Sequence, residues 1–290
     1  MKELKILEWN INGRSSMGWN DDYYIKDFVI DRIMKEEAHI IILVEFAIGK
    51  GWDYFQSQLQ NNNYIWFMTY TSPQNGVLIA IKTDIEGLNT IGDNIKVTHE
   101  NIPNSLDILS VNLKYDEKQI CLIGTRIRVK NKNYKDRGSQ LSELVEYVRK
   151  IKEANKDISI IIAGDFNHGK IHGDESGFDE SVYKKKKLVQ EPCSYHRIKN
   201  LFKEINCQVY TPVGEEKDIF SWSGGKYFLK LDHLIISDDL KVKGKDMEPE
   251  INYHWDFVTT KNGYGVKKPK SYKSESNSRP DHAILIAVIK

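Results

Sequence analysis

The stretch Ile160-Ile161-Ile162-Ala163-Gly164-Asp165-Phe166-Asn167 runs an apolar strand into a glycine, a carboxylate and, two residues on, a carboxamide. Strand ends that open into loops are where a rigid scaffold presents chemistry. A carboxylate beside an amide there suits the activation of a water next to a phosphate. The same logic recurs along the chain. Apolar runs lead to Asn10, to Glu45 and to Arg126, and two Asp-His pairs, Asp232-His233 and Asp281-His282, abut strand-like runs near the C-terminus.

Around this stretch, short Ile- and Val-rich runs predict strands over Leu4–Ile11, His39–Glu45, Tyr64–Tyr70, Val77–Lys82, Leu106–Tyr115, Gln119–Val129, Ile158–Ala163, Leu231–Ser237 and Ala283–Ile289. Several are almost continuously apolar, as expected of strands covered on both faces. Helical spacing of apolar residues appears in Tyr24–Glu37, at Ile25, Phe28, Val29, Ile33 and Met34. It recurs in Gln140–Ala154, at Leu141, Leu144, Val145, Val148 and Ile151. Both helices are expected to cover a sheet. Site-type residues fall in the first fifty positions and again in the last ten, so the two ends must converge, which favours one domain over 1–290.

The 290 residues are 40 % hydrophobic, enough for a sizeable core. With 42 Lys+Arg against 41 Asp+Glu the formal net charge is +1, so a polyanionic partner must be held by local basic patches rather than by a global field. The three cysteines, Cys121, Cys193 and Cys207, have neither CxxC nor zinc-ligand spacing, which suits a reduced compartment. The N-terminus enters a strand without an apolar signal region, and no apolar run approaches the ~20 residues a membrane span needs. The expectation is a cytoplasmic protein with no membrane partner; oligomeric state is not legible.

Each polar residue at a strand end has a bland reading beside a chemical one. Glu45 closes the run Ile40–Val44, an expensive place for a carboxylate unless something positive compensates it. It either caps the following turn or holds a divalent cation such as Mg²⁺, which takes oxygen ligands and commonly only one or two carboxylates. Asp281 is the second ligand on the cation reading; otherwise it merely begins a strand. Asp165 and Asn167 are either turn formers or site residues. Asn10 and Asn12, two apart on the first strand, point to one face. The bland readings explain poorly why all these residues occur together, in this order, at strand ends.

In these motifs the chain resembles the endonuclease/exonuclease/phosphatase superfamily: Trp9-Asn10, Glu45 after a buried strand, Gly164–Asn167, Leu231–His233 and Asp281-His282. The resemblance spans nearly the whole chain. It implies an α/β fold, a four-layer α/β sandwich of two mixed β-sheets packed face to face with outer helices. It also implies that Glu45 coordinates Mg²⁺ (with Mn²⁺ as a substitute), helped by Asp281 and Asn12. Asp165 would exchange a proton with the attacking water or leaving oxygen, Asn10 and Asn167 would position the phosphate or neighbouring carboxylates, and Asp232 would orient His282 against the scissile phosphate. There are departures. Arg126 stands where relatives have His or Tyr; arginine cannot trade protons near neutral pH but can clamp phosphate bidentately. With Arg128 it is read as a phosphate contact. Val44 and Pro280 replace a glutamine and a serine common beside the motifs, which affects their support rather than the reaction.

The expected activity is Mg²⁺-dependent hydrolysis of nucleic-acid phosphodiesters, DNA favoured over RNA. Basic clusters support it: Arg126, Arg128, Lys130, Lys132, Lys135 and Arg137; Lys184–Lys187; and Lys267, Lys268, Lys270 and Lys273. Tyr134, Tyr183, Tyr264 and Tyr272 are interleaved with them. Each lysine run is equally well a solvated face. The alternatives are a phosphatase or phosphodiesterase of inositol phosphates or phospholipid head groups, for which Trp255 and Phe257 are a faint signal, and a catalytically weakened nucleic-acid-binding protein of the same fold.

Overall fold

The computed structural model describes residues 2–11, 25, 27–49, 51–69, 76–87, 107–128, 137–171, 195–212, 220–224, 227–245, 248–254 and 280–290. In chain order these form β1 (Leu4–Asn10), α1 (Asp27–Lys35), β2 (Ile40–Phe46), α2 (Trp52–Asn61), β3 (Tyr64–Met68), β4 (Gly76–Lys82), β5 (Ile108–Tyr115), β6 (Lys118–Arg126) and α3 (Arg137–Ala154). There follow β7 (Ser159–Ile171), α4 (Tyr195–Lys203), β8 (Cys207–Tyr210), β9 (Trp222–Gly224), β10 (Tyr227–Ser237), β11 (Gly244–Lys245), β12 (Glu248–Pro249), β13 (Ile251–His254) and β14 (Ile284–Ile289).

One sheet has the order β13-β14-β1-β2-β4-β3. The other runs β5-β6-β7-β10-β8, with β9 paired to β10, and β11 and β12 pair separately. Both large sheets are mixed: β1–β2 and β6–β7 are parallel, and the other pairs are antiparallel.

The layering follows from the period of two within each strand. In β1, Leu4 and Ile6 face the interior between the sheets, beside Ile42 and Val44 of β2 and Leu122 and Ile161 of the opposite sheet. Leu7 and Trp9 face the other way, onto a layer with Val29, Ile30 and Ile33 of α1 and Phe55 and Leu59 of α2. On the far side, Cys121, Ile123, Ile160 and Ile162 pack on Leu144 and Val148 of α3 and Ile198 and Phe202 of α4. The result is helix, sheet, sheet, helix: the four-layer sandwich the resemblance implied. Each fully buried Ile or Leu stabilises by about 1.5–3 kcal/mol, which lets the frame hold strained and charged residues at one edge. The sheets approach closely at Gly124, where an added Cβ would lie 2.6 Å from Val77 and 2.9 Å from Ile42.

The predicted strands and helices are all present, with ends moved by a few residues. One shift matters: the strand expected over Ile158–Ala163 continues to Ile171, so Asp165 and Asn167 lie within β7 and not in a tight turn after it. α2 and α4 escaped the sequence reading, as did β8, β9, β11, β12 and β13, strands of four residues or fewer. Of the ten residues of α2 only Phe55 and Leu59 are buried, too few to make a periodic stripe. Arg137 begins α3, whereas Lys130, Lys132, Lys135, Lys184–Lys187 and the basic and aromatic residues of 255–279 lie outside the described residues. Among the described residues no helix is long and apolar enough to cross a membrane.

Candidate active site

β1 and β2 run parallel, with Asn10 opposite Val44, so Asn10 and Glu45 reach the same edge of their sheet. β14 runs antiparallel to β1, which brings the residues just before it, Asp281 and His282, to that edge too. In the facing sheet, Arg126 closes β6 opposite Asp165 of β7, and Asp165 is opposite Asp232 of β10. Two chain ends and the middle thus meet at one place.

Polar links cross the gap between the sheets there. Asn10 Nδ2 donates to Asp165 Oδ2 at 3.0 Å and to Glu45 Oε1 at 3.2 Å. His282 Nδ1 lies 2.9 Å from Asp232 Oδ2. Arg126 Nη2 is 2.6 Å from Glu45 Oε1.

Asp165 is almost wholly buried and heavily held. Its Oδ1 accepts the Asn167 backbone N–H at 2.8 Å, and its Oδ2 accepts Asn167 Nδ2 at 3.0 Å besides Asn10. Asn167 also donates to the Ile127 carbonyl at 2.7 Å, which fixes its amide. Burial, then the Asp232 carboxylate, raises the Asp165 pKa to about 7; His282, Arg126 and the Asn167 N–H pull the other way. A carboxylate poised there can take a proton from water near neutral pH.

The dyad of Asp232 and His282 is buried and braced. Trp9 Nε1 donates to the His282 carbonyl at 2.8 Å, and the backbone N–H groups of Leu231 and Asp232 donate to Ser221 Oγ at 2.7 and 3.1 Å. Burial works against a charged imidazole. The Asp232 carboxylate in contact, with Asp165 and Asp281 behind it, overrides burial and holds the His282 pKa well above its ordinary value. The Asp232 carboxylate thus favours the protonated ring, which is suited to face a developing negative charge.

Two of the six described non-glycine residues with a left-handed backbone lie at this edge. Glu45 has φ 54° and Asn167 φ 48°, in the left-handed region that costs an ordinary residue about 1–3 kcal/mol. At Glu45 the strain coincides with a register shift between Val44 and Phe46 against β4, a bulge that turns the carboxylate out of the strand. Gly164 is needed for space: a Cβ there would fall 1.8 Å from the Thr125 carbonyl oxygen.

Of the residues singled out in the sequence, Arg126, Glu45, Asn10, Asp165 and Asn167 form one chain of direct contacts, and Asp232 and His282 form a second pair at the same edge. Asp281 lies at the same edge and accepts from Trp222 Nε1 at 3.3 Å. Arg128 is instead engaged by Asp107, with both side chains largely buried. Asn12 lies outside the described residues. His233, from the Leu-Asp-His block, is buried against Phe166 and Tyr195 with Nδ1 3.2 Å from Thr211 Oγ1, a packing role behind the site.

One residue was missed. Glu8, on the same face of β1 as Asn10, is fully buried, and neither carboxylate oxygen has a hydrogen-bond partner among the described residues. Burial, then Asp232 and Asp165, raises its pKa well above the ordinary carboxylate range. Its only sequence signal was a charge at an inward position of a strand.

A hard divalent cation fits the donor chemistry. Glu45 and Asp281 are oxygen donors on either side of β1, and Mg²⁺ completes its shell with water and phosphate when only one or two carboxylates are offered. Among the described residues no group of three His, Cys, Asp or Glu side chains converges in metal-holding geometry.

No protein-family model and no curated protein matches the chain. Solved structures do. A truncated TDP2 from Caenorhabditis elegans is similar over 99 % of this chain and 98 % of its own, at TM-score 0.60 and 14 % identity. An AP endonuclease from Archaeoglobus fulgidus is similar over 98 % of both chains, at TM-score 0.59 and 14 % identity. The human Nocturnin catalytic domain with bound sulfate is similar over 99 % of this chain and 93 % of its own, at TM-score 0.59 and 17 % identity. The chain shares the fold of these structures.

Proposed function

We propose that this chain is a divalent-cation-dependent nuclease that hydrolyses phosphodiester bonds, of DNA in preference to RNA. The observation that carries the reading is Asp165: a buried carboxylate with a pKa near 7, held by Asn10 and Asn167 beside an imidazolium and a guanidinium. Proton acceptor, cation and phosphate-binding side chain at one sheet edge are the parts phosphoester hydrolysis needs.

With a backbone phosphate at this edge, Asp165 takes a proton from the attacking water while Asn10 and Asn167 hold its carboxylate in line; as the new P–O bond forms, the bond to the leaving oxygen breaks and that oxygen takes up a proton from solvent. His282, kept in place and charged by Asp232, stabilises negative charge on the phosphate oxygens. Arg126 contributes a planar double donor to the same oxygens. Glu45 and Asp281, with Asn12, would hold Mg²⁺ or Mn²⁺, which when bound supplies further charge neutralisation at the phosphate. The preference for DNA is supported by the likeness to a zebrafish (D. rerio) TDP2 complexed with a single-strand DNA product, at TM-score 0.53 and 13 % identity, and to the AP endonuclease. A phosphatase reading is second, supported by a likeness at TM-score 0.58 to ANGEL2, described as a 2′,3′-cyclic phosphatase.

The test is a panel of labelled duplex, single-stranded and abasic DNA, RNA and an inositol phosphate, each incubated with the full chain and Mg²⁺. DNA should be cleaved, and Asp165→Ala, His282→Ala and excess chelator should each abolish cleavage while the circular dichroism spectrum stays native. Hydrolysis of the inositol phosphate alone would move the reading to a phosphatase, and undiminished cleavage by Asp165→Ala would end it.

A further inference from the structure

The ion pair between Arg126 and Glu45 joins the two sheets and occupies the carboxylate a divalent cation would need. Arg126 Nη2 lies 2.6 Å from Glu45 Oε1, and the side chains are only 21 % and 14 % exposed, so water screens the pair poorly. The carboxylate is also held from the other side by Asn10, at 3.2 Å. The guanidinium retains donor capacity: its Nε is buried and makes no hydrogen bond among the described residues. Arg126 is also opposite Asp165 in register, which places its backbone beside the residue that would activate water.

Two cations cannot share Glu45 cheaply at contact distance. A divalent ion arriving at the carboxylate repels the guanidinium and offers Glu45 a stronger partner. A guanidinium displaced in a half-buried cleft needs an anion. The anion that the proposed activity brings to this edge is a phosphodiester, whose oxygens fit a fork of two N–H donors.

We propose that Arg126 is a built-in counter-ion of Glu45 that a divalent cation displaces and a phosphodiester then captures, so that binding of metal and binding of substrate favour each other. This rests on the nuclease reading above. Before both arrive, Arg126 keeps the metal carboxylate neutralised and the cation weakly held. Once both are present, every charge has a new partner. Linkage requires the effect to be reciprocal: a bound phosphodiester tightens the metal as much as the metal tightens the phosphodiester.

The experiment measures Mn²⁺ binding, read from the electron paramagnetic resonance signal of free Mn²⁺, on the full chain without turnover. Arg126→Gln should bind Mn²⁺ about tenfold or more tighter than the wild type, since a competing charge at contact distance is gone. Glu45→Gln should bind it at least about tenfold more weakly, because a charged ligand is lost. A short phosphorothioate-linked single-stranded DNA, which resists hydrolysis, should tighten Mn²⁺ binding in the wild type and have little effect in Arg126→Gln. Arg126→Lys, which keeps the charge but not the fork, serves if the glutamine variant does not fold, and should stay near the wild-type affinity while losing most of the coupling to DNA. Equal or weaker Mn²⁺ binding by a folded Arg126→Gln, or wild-type coupling retained by Arg126→Lys, would overturn the proposal and leave the nuclease reading standing. Mn²⁺ binding indifferent to Glu45→Gln, with cleavage persisting in excess chelator, would instead remove the metal centre itself.

Discussion

Replacing Glu8 by glutamine should change how the stability of the protein depends on pH, and the sign is set by the burial of Glu8. Its carboxyl is fully buried without a hydrogen-bond partner among the described residues, facing Asp232 and Asp165, with His282 the one positive group opposing them. Folding therefore raises its pKa well above the ordinary value of 4.5. The folded chain keeps a proton that the unfolded chain releases. The stability this group allows is fully present below pH 4.5 and is lost as pH rises toward the folded-state pKa. The loss is about 1.4 kcal/mol for each pH unit in that window. The loss continues up to the folded-state pKa, and a side chain that cannot ionise does not suffer it. For a chain of this size each pH unit in that window is a shift of about 3–5 °C in Tm. Glutamine has nearly the same shape and leaves a buried amide, whose desolvation cost of about 1–3 kcal/mol does not vary with pH. The quantity to measure is thus the gap between the two proteins, not either alone. Differential scanning calorimetry at several pH values and one ionic strength should show Tm of Glu8→Gln rising against the wild type as pH increases. Parallel curves would mean that Glu8 ionises in the folded protein much as it does in water, and the reasoning would fail.

Two further outcomes follow from the same geometry. With Asp165 as proton acceptor and its pKa raised to about 7, kcat/KM on a DNA substrate should fall about tenfold for each pH unit below that value, as the acid form accumulates. Asp165→Asn should leave only a residual rate without that acid limb, and an unchanged limb would assign it to another group. Gly164→Ala should lower stability by about 2 kcal/mol or more, because the new methyl overlaps the Thr125 carbonyl and β6 must move. Chemical denaturation measures this, and a loss near zero would show that β7 can slide without cost.

Much of the site was legible because polar side chains such as Asn10, Glu45 and His282 stand at or beside strand ends, and strand ends are marked locally. The run Ile160–Ala163 announces a strand, and Gly164 followed by Asp165 announces that something other than packing follows. Asn10, Glu45 and His282 were found in the same way. The strand expected to end at Ala163 runs on for a physical reason: Asn167 takes φ 48° inside a continuing strand, supported by its amide on Asp165 and Ile127. A single left-handed residue leaves no trace in hydrophobic periodicity. Glu8 was passed over because one charge in an apolar strand reads as an outward position, whereas alternation with Trp9 in fact turns it inward.

By itself, the sequence determined nine of the strands, two of the helices and most of the polar side chains that gather at one sheet edge, because those depend on neighbours a few residues away. Only the tertiary structure decided who partners whom. That Arg126 spends its charge on Glu45, that Arg128 goes to Asp107, and that Glu8 lies beneath Asp232 and Asp165 all depend on contacts across two sheets between residues tens to hundreds of positions apart. Charge and burial act through space, at a few ångströms, and the order of residues along a chain says nothing about that distance until the sheets have closed on each other.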